Sequence, residues 1–223
     1  MTASINGSMQ TADVLPSVRT QMMGRETVWS GPAFEVEHRA AAVDGKIVGR
    51  DVVKHAPVVC ILAHDVQTDK YMLEREYRAG ADSVCYGLPA GFIDDGEDAA
   101  VAAVRELHEE TGVIVDVSAM EPVFKNGLMS SQGFTDETAW CYRADIRGGV
   151  KMGDVSFDGD EVVRSGWVPF RTLDQLLSRG DLTSAVSAAL ILSEKIRRAG
   201  VWPVTVTTVA DEITAHADDQ TSD

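Results

Sequence analysis

The segment GFIDDGEDAAVAAVRELHEETGV, residues 91–113, constrains this chain more than any other stretch. Gly91, Glu97, Arg105, Glu106, Leu107, Glu109, Glu110, Gly112 and Val113 fit Gly-x5-Glu-x7-Arg-Glu-(aliphatic)-x-Glu-Glu-x-Gly-(aliphatic) at all nine fixed positions. Asp94, Asp95 and Asp98 surround its start, where a helix N-terminus favours negative charge. Gly112 follows the last polar turn, where a left-handed residue commonly ends a helix. Between them Ala100, Val101, Val104 and Leu107 fall on one side at about 100° per residue and are predicted to face the core. Glu106, Glu109 and Glu110 fall on the other, at i, i+3 and i+4, so their carboxylates are expected to converge on one patch.

Three close carboxylates repel one another and raise each other's pKa values. A hard divalent cation removes that conflict, and ligation by oxygen alone suits Mg²⁺ or Mn²⁺. Acidic residues at helical spacing are usually a solvated face. Here they end a helix at its C-terminus, where the dipole disfavours carboxylates, so a purely structural role is the weaker reading. Arg105 stands at i, i+4 from Glu109 and can hold it by a charge-assisted hydrogen bond.

The nine positions together resemble the signature of the Nudix hydrolases, enzymes that cleave a nucleoside diphosphate linked to another group. The resemblance extends over roughly residues 26–200 and is greatest to the ADP-ribose pyrophosphatase branch. Residues 50–55 (RDVVKH) are similar to the strand before that branch's core, and 73–78 (LEREYR) to its strand ending in Tyr-Arg. Residues 88–94 (LPAGFID) resemble its approach to the box, and 133–137 (GFTDE) a Gly-Phe-Ser/Thr-x-Glu stretch downstream. By this resemblance the backbone carbonyl of Ala90 joins Glu106 and Glu110 as metal ligands, with Glu109 on a further ion. Arg50, Arg78 and Glu137 would contact the phosphates or ribose of the substrate. Two positions depart from the pattern: Gly87 stands where members usually carry Glu, and Gln132 where the ADP-ribose group typically has Pro. The second departure bears on the substrate more than on the reaction.

Hydrolysis needs a base for the attacking water. The resemblance implies a glutamate on a mobile loop after the box, and residues 157–162 (FDGDEV) sit in the matching place before GWVPF at 166–170. Glu161 is the candidate, with Asp160 and Asp158 as alternatives, against the plain reading of an exposed acidic loop. Glu161, Glu109 and Arg105 thus form the catalytic set. Trp29 and Phe34 are candidate stacking partners for a nucleobase, although aromatic residues in an amphipathic strand more often belong to a core. The five histidines form no pair with metal-ligand spacing, and His108 is expected to pack on the apolar side of the box helix.

The remaining composition limits the partners. A net charge of −15 offers no basic surface to displace counterions, which argues against nucleic acid. For a small anionic substrate it points to cations and a few local arginines reversing the field inside the pocket. Cys60, Cys85 and Cys141 are an odd, scattered set, expected to be reduced thiols of a cytoplasmic protein. No apolar run reaches bilayer-spanning length, and MTASINGSMQ at the start lacks a basic region followed by an apolar one.

Along the chain, residues 1–24 show no clear periodicity and are expected to be loose. Residues 33–42 and 46–54 read as strands joined by a hairpin turn at Asp44-Gly45. Further strands are expected at 57–63, 70–77, 113–118, 138–146 and 162–168, the last preceded by a glycine- and aspartate-rich loop at 148–161. Leu173, Leu176 and Leu177 open a helical region, and 183–200 form a longer helix. Strands on both sides of one helix, with helices at the end, predict an α/β or α+β layered domain. The resemblance implies an α/β/α sandwich with a mixed sheet. The expected divisions are a flexible 1–24, an N-terminal antiparallel β region at 25–55, a Nudix domain at 56–200 and an acidic tail at 201–223. The resemblance further implies a homodimer with the N-terminal strands near its interface.

The favoured activity is Mg²⁺-dependent hydrolysis of ADP-ribose to AMP and ribose 5-phosphate. Another nucleoside diphosphate sugar is the close alternative. A non-catalytic nucleotide sensor is the contrasting class, and retention of Glu106, Glu109 and Glu110 weighs against it.

Overall fold

A computed structural model describes residues 17–32, 34–156 and 162–201. The chain divides into two units, residues 1–56 with 131–137, and residues 57–130 with 138–223.

In the first unit, β1 (Thr20–Ser30), β2 (Glu35–Val43) and β3 (Lys46–Lys54) form an antiparallel sheet in that order. Asp44 and Gly45 turn the hairpin between β2 and β3 with φ of 48° and 82°, the pair of positive angles that Asp-Gly accommodates. β1 begins at Thr20, inside the stretch expected to be loose. Every residue of β1 is exposed, so no inward-outward alternation marks it in the sequence. Residues 131–137 belong to this unit rather than to the main domain. Val53 donates its N–H to the Phe134 carbonyl at 2.7 Å, and Asp136 donates back to Val53 at 3.2 Å.

The second unit is built on a mixed sheet whose main path runs β10 (Leu128–Met129), β11 (Thr138–Ile146), β4 (Val58–Asp65), β5 (Lys70–Arg78) and β13 (Val163–Pro169). β11 and β4 are parallel, while the other pairs are antiparallel. β6 (Ser83–Gly87) pairs with β5, β7 (Ala90–Phe92) with β4, and β9 (Met120–Pro122) with β11. A short ribbon joins β8 (Val113–Ile114) to β12 (Lys151–Met152). The strand expected over 113–118 therefore stops early, and Asp116 caps a single helical turn at Val117–Ala119 instead.

Helix α1 (Ala99–Thr111) packs on one face of this sheet, over Val59, Ile61, Ala63 and Met72. α2 (Phe170–Arg179) and α3 (Ala185–Arg198) cover the other, over Cys60, Leu62, Tyr71 and Leu73. The strand period of two sends alternate residues of β4 and β5 into two separate cores. This is the expected three-layer arrangement. Cys60 and Cys141 are buried free thiols and Cys85 is half-buried, also free. Burial pushes the Cys60 thiol up, and neighbouring Cys141 adds to the shift. Among the described residues no helix is long and apolar enough to cross a membrane.

Capping sets where α1 begins and ends. Asp98 accepts from the backbone N–H groups of Ala100 at 2.9 Å and Val101 at 3.3 Å. Gly112 closes the helix at φ 74°, its N–H on the His108 carbonyl at 2.7 Å. Asp98→Ala is expected to cost about 1 kcal/mol of unfolding free energy, measurable by urea denaturation, because those N–H groups lose their acceptor.

Candidate active site

α1 does not present the two faces that its sequence suggests. Ala102, Ala103 and Leu107 are fully buried, whereas Val101 is 48% exposed. Ala103, Leu107 and Glu110, at i, i+4 and i+7, share the inward stripe, and Glu110 is only 5% exposed. The small alanines let the helix lie close to the sheet, which turns Glu106 and Glu110 toward the strands.

These two carboxylates meet β7. Ala90 donates its N–H to Glu110 Oε2 at 3.0 Å. The Glu106 carboxylate lies directly over Gly91, where any Cβ would collide with it. Gly91 has no positive φ, so glycine is required here by space and not by backbone angle. Glu106 and Glu110 therefore straddle the Ala90–Gly91 backbone. That backbone is fixed from several sides: Ile61 donates to the Pro89 carbonyl at 2.8 Å, Leu88 donates to Ser187 Oγ of α3 at 3.3 Å, and Ala90 pairs with Cys60.

Arg105 organises the acidic side chains. Its Nε and Nη2 donate to the two oxygens of Glu97 at 3.0 and 2.8 Å. Nη1 donates to Glu106 at 2.8 Å and to Glu109 at 3.0 Å, and Nη2 also reaches the Phe92 carbonyl at 2.9 Å. The hydrogen bond from Arg105 holds the Glu97 carboxyl below its ordinary range, and Glu97 in turn raises the guanidinium. Arg105 is thus a positioning residue, its donors spent on box carboxylates and backbone. Glu97 is the member whose purpose spacing alone did not reveal. It anchors the arginine and accepts the Asp94 N–H at 3.1 Å.

The expected convergence of all three glutamates on one patch is not found. Glu106 and Glu109 share Arg105 Nη1, while Glu110 turns inward to Ala90. Among the described residues no three His, Cys, Asp or Glu side chains stand together as a ready-made metal cage. The donor set around Ala90–Gly91 still fits a hard cation. It offers two carboxylates and a backbone carbonyl, all oxygen, in a cradle that the missing Cβ of residue 91 leaves open.

The carbonyls at the end of α1 tie down the neighbouring chain. Ser156 donates to the Glu109 carbonyl at 2.9 Å, Gly153 to Gly112 at 2.6 Å, and Ser165 Oγ to Glu110 at 3.5 Å. Glu161, Asp160 and Asp158, the candidates for the base, lie outside the described residues. His108 packs as expected, its ring over Gly153.

Of the expected substrate contacts, Arg78 lies in the second unit on β5, where its Nη2 meets Glu76 at 2.6 Å. The others belong to the first unit. Arg50 is exposed on β3 and donates to the Gly49 carbonyl at 2.7 Å. Glu137 lies 3.0 Å from His55 Nδ1. Trp29 and Phe34 touch each other with ring centroids 5.0 Å apart and are 48% and 39% exposed, so they are not core residues. Arg39, Glu37 and Asp136, which the sequence did not single out, form a close network in this unit. Arg39 meets Asp136 at 2.6 Å and Glu37 at 2.7 Å.

A mixed sheet lies between helix layers, with a glutamate-bearing helix capped over the Ala90–Phe92 strand. A family model described as the NUDIX domain matches residues 54–188. The chain belongs to the Nudix family of hydrolases. It is 33% identical over 114 residues to an ADP-ribose pyrophosphatase of Saccharomyces cerevisiae, covering 51% of this chain and 43% of that protein. It is 38% identical over 103 residues to an ADP-sugar pyrophosphatase of Mus musculus, covering 46% and 47% respectively. The chain thus spans under half the length of either relative. Among solved structures, a crystal structure of an ADP compounds hydrolase superposes with a TM-score of 0.65, covering 82% of this chain and 97% of that one. At 23% identity that likeness shows the fold.

Proposed function

We propose that this chain hydrolyses the pyrophosphate bond of nucleoside diphosphate derivatives with a divalent cation, and that ADP-ribose is its substrate, giving AMP and ribose 5-phosphate. The placement of Glu106 and Glu110 on either side of Ala90–Gly91 carries this reading. The ADP-ribose and ADP-sugar pyrophosphatase relatives support the substrate class. Glu106, Glu110 and the Ala90 carbonyl would hold Mg²⁺ or Mn²⁺, with Glu109 available to a further ion. When bound, such a cation neutralises charge on the phosphates and lowers the pKa of the attacking water.

The chain's own residues supply the rest. Arg105 holds Glu106 and Glu109 together through one nitrogen, so their repulsion does not scatter them. Glu161 takes the proton from water, with Arg50, Arg78 and Glu137 contacting phosphates or ribose and Trp29 or Phe34 stacking on the base. A homodimer is the proposed assembly, formed through residues 25–55. The exposed apolar side chains of Val28, Trp29 and Ile47 support it.

A screen of ADP-ribose, UDP- and GDP-sugars, dinucleotides and oxidised nucleotides with Mg²⁺ tests the substrate, using phosphatase-coupled phosphate release. ADP-ribose is expected to have the highest kcat/KM. A higher value for another nucleotide sugar would favour the second reading, which Gln132 and Gly87 already motivate. Tight binding of ADP-ribose without any turnover would leave a sensor. Glu161→Gln is expected to lower kcat by about 10²- to 10⁴-fold with metal affinity unchanged. A silent substitution would move the base to Asp160 or Asp158.

A further inference from the structure

We propose that Glu74 is a positioning carboxylate of the box, supplying negative charge beside Glu110 from the middle of the sheet. The inference rests on the metal-dependent reading above and deepens it. Glu74 lies on β5 and is 3% exposed, an unusual burial for a carboxylate. It pairs directly with Ser165 of β13 on one side and with Gly87 of β6 on the other. Side chains directly opposite across an antiparallel pair share a face, with Cβ atoms about 5 Å apart. Ser165 marks which face this is, because its Oγ reaches the Glu110 carbonyl at the end of α1. Glu74 therefore projects toward the helix that bears the metal-binding glutamates, as does Met72 two residues earlier in the α1 core.

One further observation agrees. Gly87 has nothing within 4 Å of where its Cβ would stand, and its φ is not positive. There is thus room for a side chain at position 87, directly across the strand pair from Glu74.

A charge in this place acts through the ligands. A second carboxylate close to Glu110 strengthens the field that holds a cation there. Mn²⁺ titration of the purified full chain by electron paramagnetic resonance tests this without relying on turnover. Glu74→Gln is expected to weaken Mn²⁺ binding roughly tenfold. Adding Gly87→Glu to that variant should restore most of the affinity, because the carboxylate returns on the same face. A packing role for Glu74 would not be rescued by a charge placed on another strand. Wild-type affinity in Glu74→Gln, or no rescue by Gly87→Glu, overturns the proposal. If Glu74→Gln does not fold, Gly87→Glu alone decides: several-fold tighter Mn²⁺ binding supports the inference, and unchanged binding overturns it. Glu106→Gln is measured alongside. If it weakens Mn²⁺ binding while Glu74→Gln does not, the metal reading stands and this inference falls. If both are silent, both fall.

Discussion

Glu106→Gln and Glu110→Gln are each expected to reduce turnover on the order of 10³-fold, equivalent to about 4 kcal/mol of transition-state stabilisation. Gln preserves shape and one acceptor oxygen, so the Ala90 N–H and the Arg105 guanidinium keep a partner at each site. The charge is what is lost. Glu110 is the sharper case, because it is 5% exposed and sits at the C-terminal end of α1, where both burial and the helix dipole oppose a carboxylate. Glu110→Gln should therefore leave the thermal midpoint unchanged or raised while activity falls. Turnover and Tm measured on the same preparations check both halves. Near-wild-type rates in both variants would remove the metal-site argument altogether.

Gly91→Ala is expected to lower kcat by about 10²-fold, from a change of one methyl group on a residue with no chemistry of its own. The added Cβ would occupy the space of the Glu106 carboxylate. That carboxylate is the far end of a flexible side chain, so it can swing away at little cost in stability. Its function depends on not doing so, since about 1 Å of misplacement is enough to cost that factor. Arg105 resists the swing through its 2.8 Å bond to Glu106, and for this reason the predicted loss is smaller than for removing the charge. Steady-state kinetics across a Mg²⁺ series checks it. A wild-type rate at every Mg²⁺ concentration would mean that Glu106 has no fixed place over β7.

Much of the fold was legible because its signals are local. The Asp44-Gly45 hairpin, the continuous apolar run of β4 and the capped ends of α1 all depend on residues close in sequence. Strands β11 and β13 were readable for the same reason, and so was the helical end of the chain. β1 was missed because an entirely exposed strand has no buried partner to impose a period of two. The place of residues 131–137 beside β3 could not be read locally, because it depends on backbone bonds that any side chains could form.

The candidate site divides along the same line. The candidates for binding a cation were legible in the order of Glu, Arg and Gly in one short segment, since charge and spacing are properties of the chain itself. How they are arranged was not. Rotation of α1 about its own axis depends on how closely Ala102 and Ala103 let it approach the sheet, and that rotation buries Glu110 while leaving Glu109 beside Arg105. The reason for glycine at 91 and the nearness of Glu74 to the box arise only when strands far apart in sequence are paired. Register is a long-range property, and a single sequence carries no local mark of it.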